Sequence, residues 1–352
     1  MNSEQLIRFK ELLSVPSKTY LEDMMVSYIE TVLSDMDGVT FWKDEHKNLY
    51  ATKGVLNEGE YYPMFIAHTD TVHDLVDEIN VLEGQSSLPP TFGKTYPSDE
   101  IHDILYAVDQ NNNPTGIGGD DKCGIFLCLE LLRALDKVKI GLFVSEETGC
   151  HGSSKCDVDF LSDVGYIVQY DAPGGHLITE VCSGVRLFEK DGDFINRIQP
   201  VIEICMGDKM LLQSHPYTDV SQLKMKSDVS CINISCGYYH MHTPKEFISI
   251  QDVVNAFNAG LGIVNELGYD RSEYVYEKPN YGGFYPWNSD DEGEDEYQGN
   301  EEYESDGIKI REEGEGIVIE NLFSGEEVFL FNEDCIDLYE YLRNRLMKKY
   351  AY

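Results

Sequence analysis

No Cys-x-x-Cys pair occurs among the nine cysteines, which lie at positions 123, 128, 150, 156, 182, 205, 231, 236 and 335. Paired off they would leave one over, so the expectation is free thiols in a reducing compartment, the cytoplasm, and no disulfide framework. No apolar run approaches the ~20 residues needed to span a bilayer, and the charged opening "MNSEQLIRFKELLSVPSKTY" lacks the uninterrupted apolar core of a signal peptide. Positive charge is scarce as well: 27 Lys and Arg face 64 Asp and Glu, a net charge of −37. Phosphate backbones and anionic lipids demand clustered basic residues, so neither nucleic acid nor a membrane surface is an expected partner.

What is present is enough for a core. With 42% hydrophobic residues over 352 positions, the chain can bury one large core or two modest ones. Part of the negative charge is local, since "DDEGEDEYQGNEEYESD" at 290–306 holds ten acidic residues and no basic one, the composition of a solvated loop or linker. It divides the sequence into a main domain over 1–275, an acidic linker over 276–315, and an appendage over 316–352. The appendage reads as a hairpin over 316–331 turning at Ser324-Gly325 and a helix over 333–349.

In the main domain the N-terminal stretch gives two helices broken at Pro16, with Ser17 or Thr19 placed to cap the second. "YYPMFIAHTDTV", "KIGLFVSEETG" and "VGYIVQYDAPGG" are buried-strand runs, each ending in acidic residues or a histidine. "DVSCINISCGYYHMHTPKE" is a fourth, and it brings His240 and His242. In an α/β fold such strand ends line one crevice, where ligands bind.

The crevice would collect His68, Asp70, Asp120, Glu146, Glu147 and Asp171 with those histidines. Asp120 stands beside a second aspartate in "TGIGGDDKCGI", and two adjacent carboxylates entering a core need a cation: Lys122, a helix N-terminus or a metal. Histidines and carboxylates from separate strands form a mixed nitrogen and oxygen site that suits Zn²⁺, Mn²⁺ or Co²⁺.

The order and flanks of these residues resemble the co-catalytic zinc peptidases and amidohydrolases of the M20, M28 and M42 type, the group of peptidase T and the glutamyl aminopeptidases. The matching words are "LLSVPSKTYLEDMMVSYI", "FIAHTDTV", "GIGGDDKCGI", "FVSEETGCHGS", "QYDAPGG" and "INISCGYYHMHTPKEFISIQDV", spread over residues 11 to about 255. The resemblance implies a three-layer α/β/α catalytic domain with a mixed sheet and two divalent metal ions, Zn²⁺ first among the candidates. It makes His68 and Asp171 ligands of one ion, Glu147 and His242 ligands of the other, and Asp120 the bridge, with His240 structural. Asp70 then holds His68 by its second ring nitrogen. Asp121 follows the bridge across a cis peptide bond and faces away from the metals. Glu146, left unligated, is the general base that takes a proton from water and hands it to the leaving amine.

The layout departs from peptidase T in one respect. Only 70 residues separate Asp171 from His242, too few for an inserted lid domain, and the 51 between His68 and Asp120 read as a loop plus a hairpin turning at "QNNNPTG". Without a lid the oxyanion or substrate contacts need a local source, for which "SHPYTDV" offers His215 and Tyr217, with Asp219 in support. The expected function is metal-dependent amide hydrolysis by a peptidase, an aminopeptidase on small peptides. The alternatives are an N-acyl amino-acid deacylase or carboxypeptidase using the same site, and an inactive member acting as an interaction protein.

Overall fold

Four of the buried apolar runs become neighbouring parallel strands. The computed structural model describes residues 1–92 and 94–276 in full; beyond 276 it describes only the backbone strands Glu302–Ser305, Ile308–Glu313, Gly316–Asn321 and Glu327–Phe331. In the first part Tyr62–His68 lies between Val138–Phe143 and Val164–Ala172, parallel to both, and Cys231–Ser235 continues the parallel set beyond Val164–Ala172. Every residue of these four strands is buried, as expected for strands covered on both faces. Antiparallel strands extend the sheet to nine: Val39–Lys43 and Leu49–Lys53 on one side, Leu177–Cys182 and Val185–Arg186 on the other, with Leu211–His215 parallel to Leu177–Cys182. The sheet is therefore mixed, and the parallel strands deliver the ends of "FIAHTD", "FVSEE" and "QYDA" along one edge.

Helices pack on this sheet. Gly119–Ala134 lies against the central strands and is buried around its whole circumference from 119 to 132, which explains its near-continuous apolar sequence. Ser3–Leu13 and Ile250–Leu267 flank it, and the Phe9 ring stacks on Phe126 with centroids 4.3 Å apart. Ile250–Leu267 comes so close to the sheet at Gly260 that a Cβ there would sit 2.1 Å from the Tyr170 hydroxyl. Among the described residues no helix is long and apolar enough to cross a membrane, and the eight cysteines are free thiols.

The second helix, Asp23–Ser34, starts after Glu22 without a side-chain cap. Ser17 and Thr19, expected as caps, are drawn inward instead: Ser17 donates to the Thr69 carbonyl and Thr19 to the Asp70 carboxylate. Between His68 and Asp120 the hairpin at 110–116 is present, with Ala107 opposite Thr115, but the preceding stretch is more ordered than a loop. Asn80–Ser86 pairs antiparallel with His102–Val108, from Asn80 opposite Val108 to Ser86 opposite His102. With Pro114–Thr115, Phe247–Ser249 and Tyr238–Tyr239 these form a separate five-stranded sheet. "NVLEGQS" hid its strand because it has no buried face to impose alternation.

From Asp171 to His242 the chain runs strands Leu177–Cys182 and Val185–Arg186, helix Asp193–Met206, strand Leu211–His215, helix Asp219–Lys224, strand Cys231–Ser235 and strand Tyr238–Tyr239. The first four of these strands belong to the large sheet and Tyr238–Tyr239 to the smaller one, and the first helix packs on Ile250–Leu267. That interval contains no lid.

The chain divides into compact units at 1–276 and 277–352. In the second, Glu302–Ser305, Ile308–Glu313, Gly316–Asn321 and Glu327–Phe331 form an antiparallel meander. Its last two strands correspond to the hairpin read at 316–331, whereas its first two fall inside the stretch read as linker, where "GIKIREE" alternates apolar and charged residues at the period of a strand. The turn at Ser324-Gly325, the helix at 333–349 and the acidic residues 290–301 lie outside the described residues.

Candidate metal centre

The ends of the parallel strands (His68, Asp70, Glu146, Glu147, Asp171), the starts of two helices (Asp120, Asp121 and Asp219) and the turn carrying His242 bring seven buried carboxylates together with buried His68 and half-buried His242. Asp120 stands at the middle. Its Oδ1 lies 3.1 Å from His68 Nε2 and its Oδ2 lies 3.2 Å from His242 Nε2. On the first side Asp171 Oδ1 is 3.7 Å from His68 Nε2, and on the second Glu147 Oε2 is 3.2 Å from His242 Nε2. The two oxygens of one carboxylate thus serve two donor groups, each completed by one histidine and one further carboxylate.

The neighbouring aspartate is used differently. The Asp120–Asp121 peptide bond is cis, and Asp121 accepts the backbone N–H of His68 at 3.2 Å and that of Gly124, in the first turn of its helix, at 3.0 Å. Asp121 is close enough to His68 and Asp171 to share a cation with them by distance, but its oxygens are committed to backbone donors. Lys122 is no counter-ion here, because its Nζ donates to the Leu13 carbonyl at 3.1 Å.

Around this centre each group is held. Asp70 Oδ1 accepts the Glu146 N–H at 2.9 Å and lies 3.4 Å from His68 Nδ1, while its Oδ2 accepts the Glu147 N–H at 3.2 Å and the Thr19 hydroxyl at 2.9 Å. Asp171 accepts the Thr218 hydroxyl at 2.6 Å and the Tyr238 hydroxyl at 3.2 Å, and its backbone is fixed by both ends of the Asn233 amide. Glu22 accepts the N–H and hydroxyl of Ser145, the residue before the glutamate pair. The sequence singled out neither Glu22, Asn233 nor Tyr238. All three act on residues far away in the chain, which no local pattern records.

Electrostatics follow from crowding. Burial raises the pKa of Glu146 well above its ordinary value, with repulsion from Asp171, Glu147 and Asp219 adding to it. Burial and Asp120 push Glu147 up to about 7, and burial also pushes Asp219 up to about 7. Burial opposes charge on His242, but Asp120 and Glu147 outweigh it and raise that imidazole to about 11.

Of the other expected residues, His240 is exposed and packs edge-on against Phe247, away from the carboxylates. Tyr217 donates its hydroxyl to the Glu147 carbonyl at 3.2 Å, and His215 Nδ1 lies 2.8 Å from the Tyr217 carbonyl, so Tyr217 reaches the rim of the centre and His215 stands behind it. Asp219 accepts the Ser153 hydroxyl at 2.5 Å.

The donor set fits divalent cations. His242 Nε2, although 3.2 Å from two carboxylates, makes a directed hydrogen bond to neither, and Glu147 Oε1 and Asp219 Oδ2 are buried without partners. Buried polar atoms left without partners among excess negative charge are what a cation satisfies.

No family model matches the chain, and neither does any curated protein. Solved structures do. Aminopeptidase PepT from Bacillus cereus superposes with a TM-score of 0.59 at 15% identity, covering 76% of this chain and 99% of that one. A tripeptidase from Staphylococcus aureus gives 0.57 at 14% identity, covering 75% and 98%. An aminopeptidase from the archaeon Desulfurococcus kamchatkensis gives 0.51 at 16% identity, covering 76% and 95%. The chain has the fold of these peptidases.

Proposed function

We propose that this chain is a metal-dependent hydrolase that removes N-terminal residues from peptides. The observation that carries the reading is the placement of Asp120, whose two oxygens each face a separate histidine and carboxylate pair. His68 and Asp171 would hold one cation, His242 and Glu147 a second, and Asp120 would touch both. Zn²⁺ is the favoured ion, with Mn²⁺ or Co²⁺ next, since the donors are imidazole and carboxylate. Bound there, the cations would supply Lewis-acid activation of water and of the scissile carbonyl.

The remaining steps belong to the protein. Glu146 is buried beside the donors but is not one of them, and its raised pKa suits a group that takes a proton from water and returns it to the amine nitrogen as the amide bond breaks. Asp70 keeps His68 oriented at Nδ1, by its backbone carbonyl at 3.0 Å with its carboxylate at 3.4 Å, and that carboxylate, accepting two backbone N–H groups, fixes where Glu146 and Glu147 start. The dense negative charge favours a free ammonium over a carboxylate as the substrate's recognised end. Free thiols among all eight described cysteines suit a reducing compartment such as the cytoplasm.

The test uses one peptide series in free, N-acetylated and C-amidated forms, with Zn²⁺, Mn²⁺ or Co²⁺. Cleavage of free and amidated peptides, lost on acetylation and lost in Glu146→Gln while metal content is kept, is the expected result. Cleavage that survives acetylation and fails on amidation would instead support the deacylase or carboxypeptidase alternative. No turnover with any metal would leave an interaction protein.

A further inference from the structure

Glu246 closes the word "HTPKE" that begins at His242 in the family resemblance, and it joins three segments of the candidate centre. Its side chain is buried; Oε1 accepts the Asp120 N–H at 3.0 Å, and Oε2 accepts the Gly118 N–H at 2.8 Å and contacts His73 Nε2 at 2.6 Å. It lies four residues beyond His242, on a turn closed by its own N–H to the Thr243 carbonyl at 3.1 Å. His73 lies five residues beyond His68 and three beyond Asp70.

We propose, resting on the metal-centre reading above, that Glu246 is a positioning residue that fixes the separation of Asp120 and His242, with His73 as its brace. One carboxylate grips the backbone on both sides of Gly119 and is tethered by a short turn to His242. Movement of either segment therefore drags the other. His242 itself sits at φ +61°, a left-handed conformation that a side chain adopts only when its surroundings impose it, and the short tether to Glu246 is such a surrounding.

The glycines of "TGIGGDD" acquire a reason from the same clamp. A Cβ at Gly116 would lie 2.0 Å from the His73 ring, and one at Gly119 would lie 2.7 Å from Tyr238 Cβ and 3.3 Å from Glu246 Oε1. Gly116 is bare so that the His73 brace can close on it, whereas Gly119 makes room first for Tyr238 and Ile248, whose Cγ1 would lie at 3.0 Å, and then for the Glu246 carboxylate. Glutamine at 246 has a single acceptor oxygen, so at least one of the two backbone donors would face an N–H₂ group.

The experiment uses the full chain freed of metal, with two readouts: Zn²⁺ affinity by calorimetry, and hydrogen exchange at the Gly118 and Asp120 amides before metal is added. Glu246→Gln is expected to weaken Zn²⁺ binding about 10–100-fold and to speed exchange at both amides. His73→Ala should move both readouts in the same direction by less, and it carries the test if Glu246→Gln does not fold. Ile263→Ala, in the buried face of helix Ile250–Leu267, controls for general destabilisation and should lower the melting temperature with Zn²⁺ affinity held within about twofold. Unchanged exchange and affinity in Glu246→Gln, or an equal loss of affinity in Ile263→Ala, would overturn the proposal. If the unaltered chain binds no Zn²⁺, the metal reading falls, and the amide exchange alone decides whether the clamp exists.

Discussion

Asp70 offers a stability test of the centre that needs no substrate. Its carboxylate satisfies two buried backbone donors, Glu146 N–H at 2.9 Å and Glu147 N–H at 3.2 Å, one on each oxygen. In Asp70→Asn the surviving oxygen is best placed on the Glu146 and His68 side. The new N–H₂ then faces the Thr19 hydroxyl, which can turn to accept, and the Glu147 N–H, which cannot. One orphaned buried donor costs about 1–3 kcal/mol. In Asp70→Ala both donors are orphaned, so the loss should be about twice that, before any term for the void. Urea denaturation of the metal-free protein at neutral pH measures both, and the expected order is wild type, then Asn, then Ala. Asn costing as much as Ala, or neither costing more than about 0.5 kcal/mol, would refute the assignment of one donor to each oxygen.

Acid should expose a second, surface device. Glu60 accepts from the backbone and side chain of Asn57 and from Lys137, and the Lys137 hydrogen bond is the largest of the influences that lower its pKa to about 2. The folded chain thus binds the proton less readily than the unfolded one, so this stabilisation is present above the ordinary value of 4.5 and fades as pH falls through about 2. Glu60→Gln should melt below wild type at pH 6, with the gap closing toward pH 2; a gap independent of pH would contradict the linkage. Gly260→Ala should cost about 1–3 kcal/mol, because its Cβ would meet the Tyr170 hydroxyl at 2.1 Å and Leu131 Cδ1 at 2.9 Å. Tyr170→Phe in the same chain should recover part of that loss, and strict additivity of the two changes would show that the hydroxyl is not the obstacle.

The four parallel strands were readable because strands buried on both faces are apolar without interruption, and their polar C-terminal residues stand out against that background. The same contrast gathered Asp70, Glu146 and His240 along with His68, Asp120, Glu147, Asp171 and His242; the family resemblance singled out the last five, and these lie near one another in the structure. What could not be read acts through backbone groups of remote segments. Glu246 stands in the family word after His242, but nothing in that word shows its carboxylate accepting the Gly118 and Asp120 N–H groups, and Glu22 meets Ser145 only across 123 residues of chain. Ser17 and Thr19 look like caps, and their true partners, Thr69 and Asp70, are found only by folding. The strands within 302–313 were obscured for a different reason, since charge dominates composition there while the alternation in "IKIREE" is short.

Strand Cys231–Ser235 lies between Val164–Ala172 and Leu177–Cys182, two strands made much earlier in the chain and separated from each other by only a few residues. It must therefore wedge between partners already joined by a short link, and it is this late arrival that brings His242 to Asp120. During synthesis the first four members of the donor set emerge long before the fifth. A ribosome-bound chain shorter than 242 residues holds a half-built site, and pairings over such sequence distances form slowly. The candidate centre is thus completed only after the strand that closes the gap between Val164–Ala172 and Leu177–Cys182 has been made.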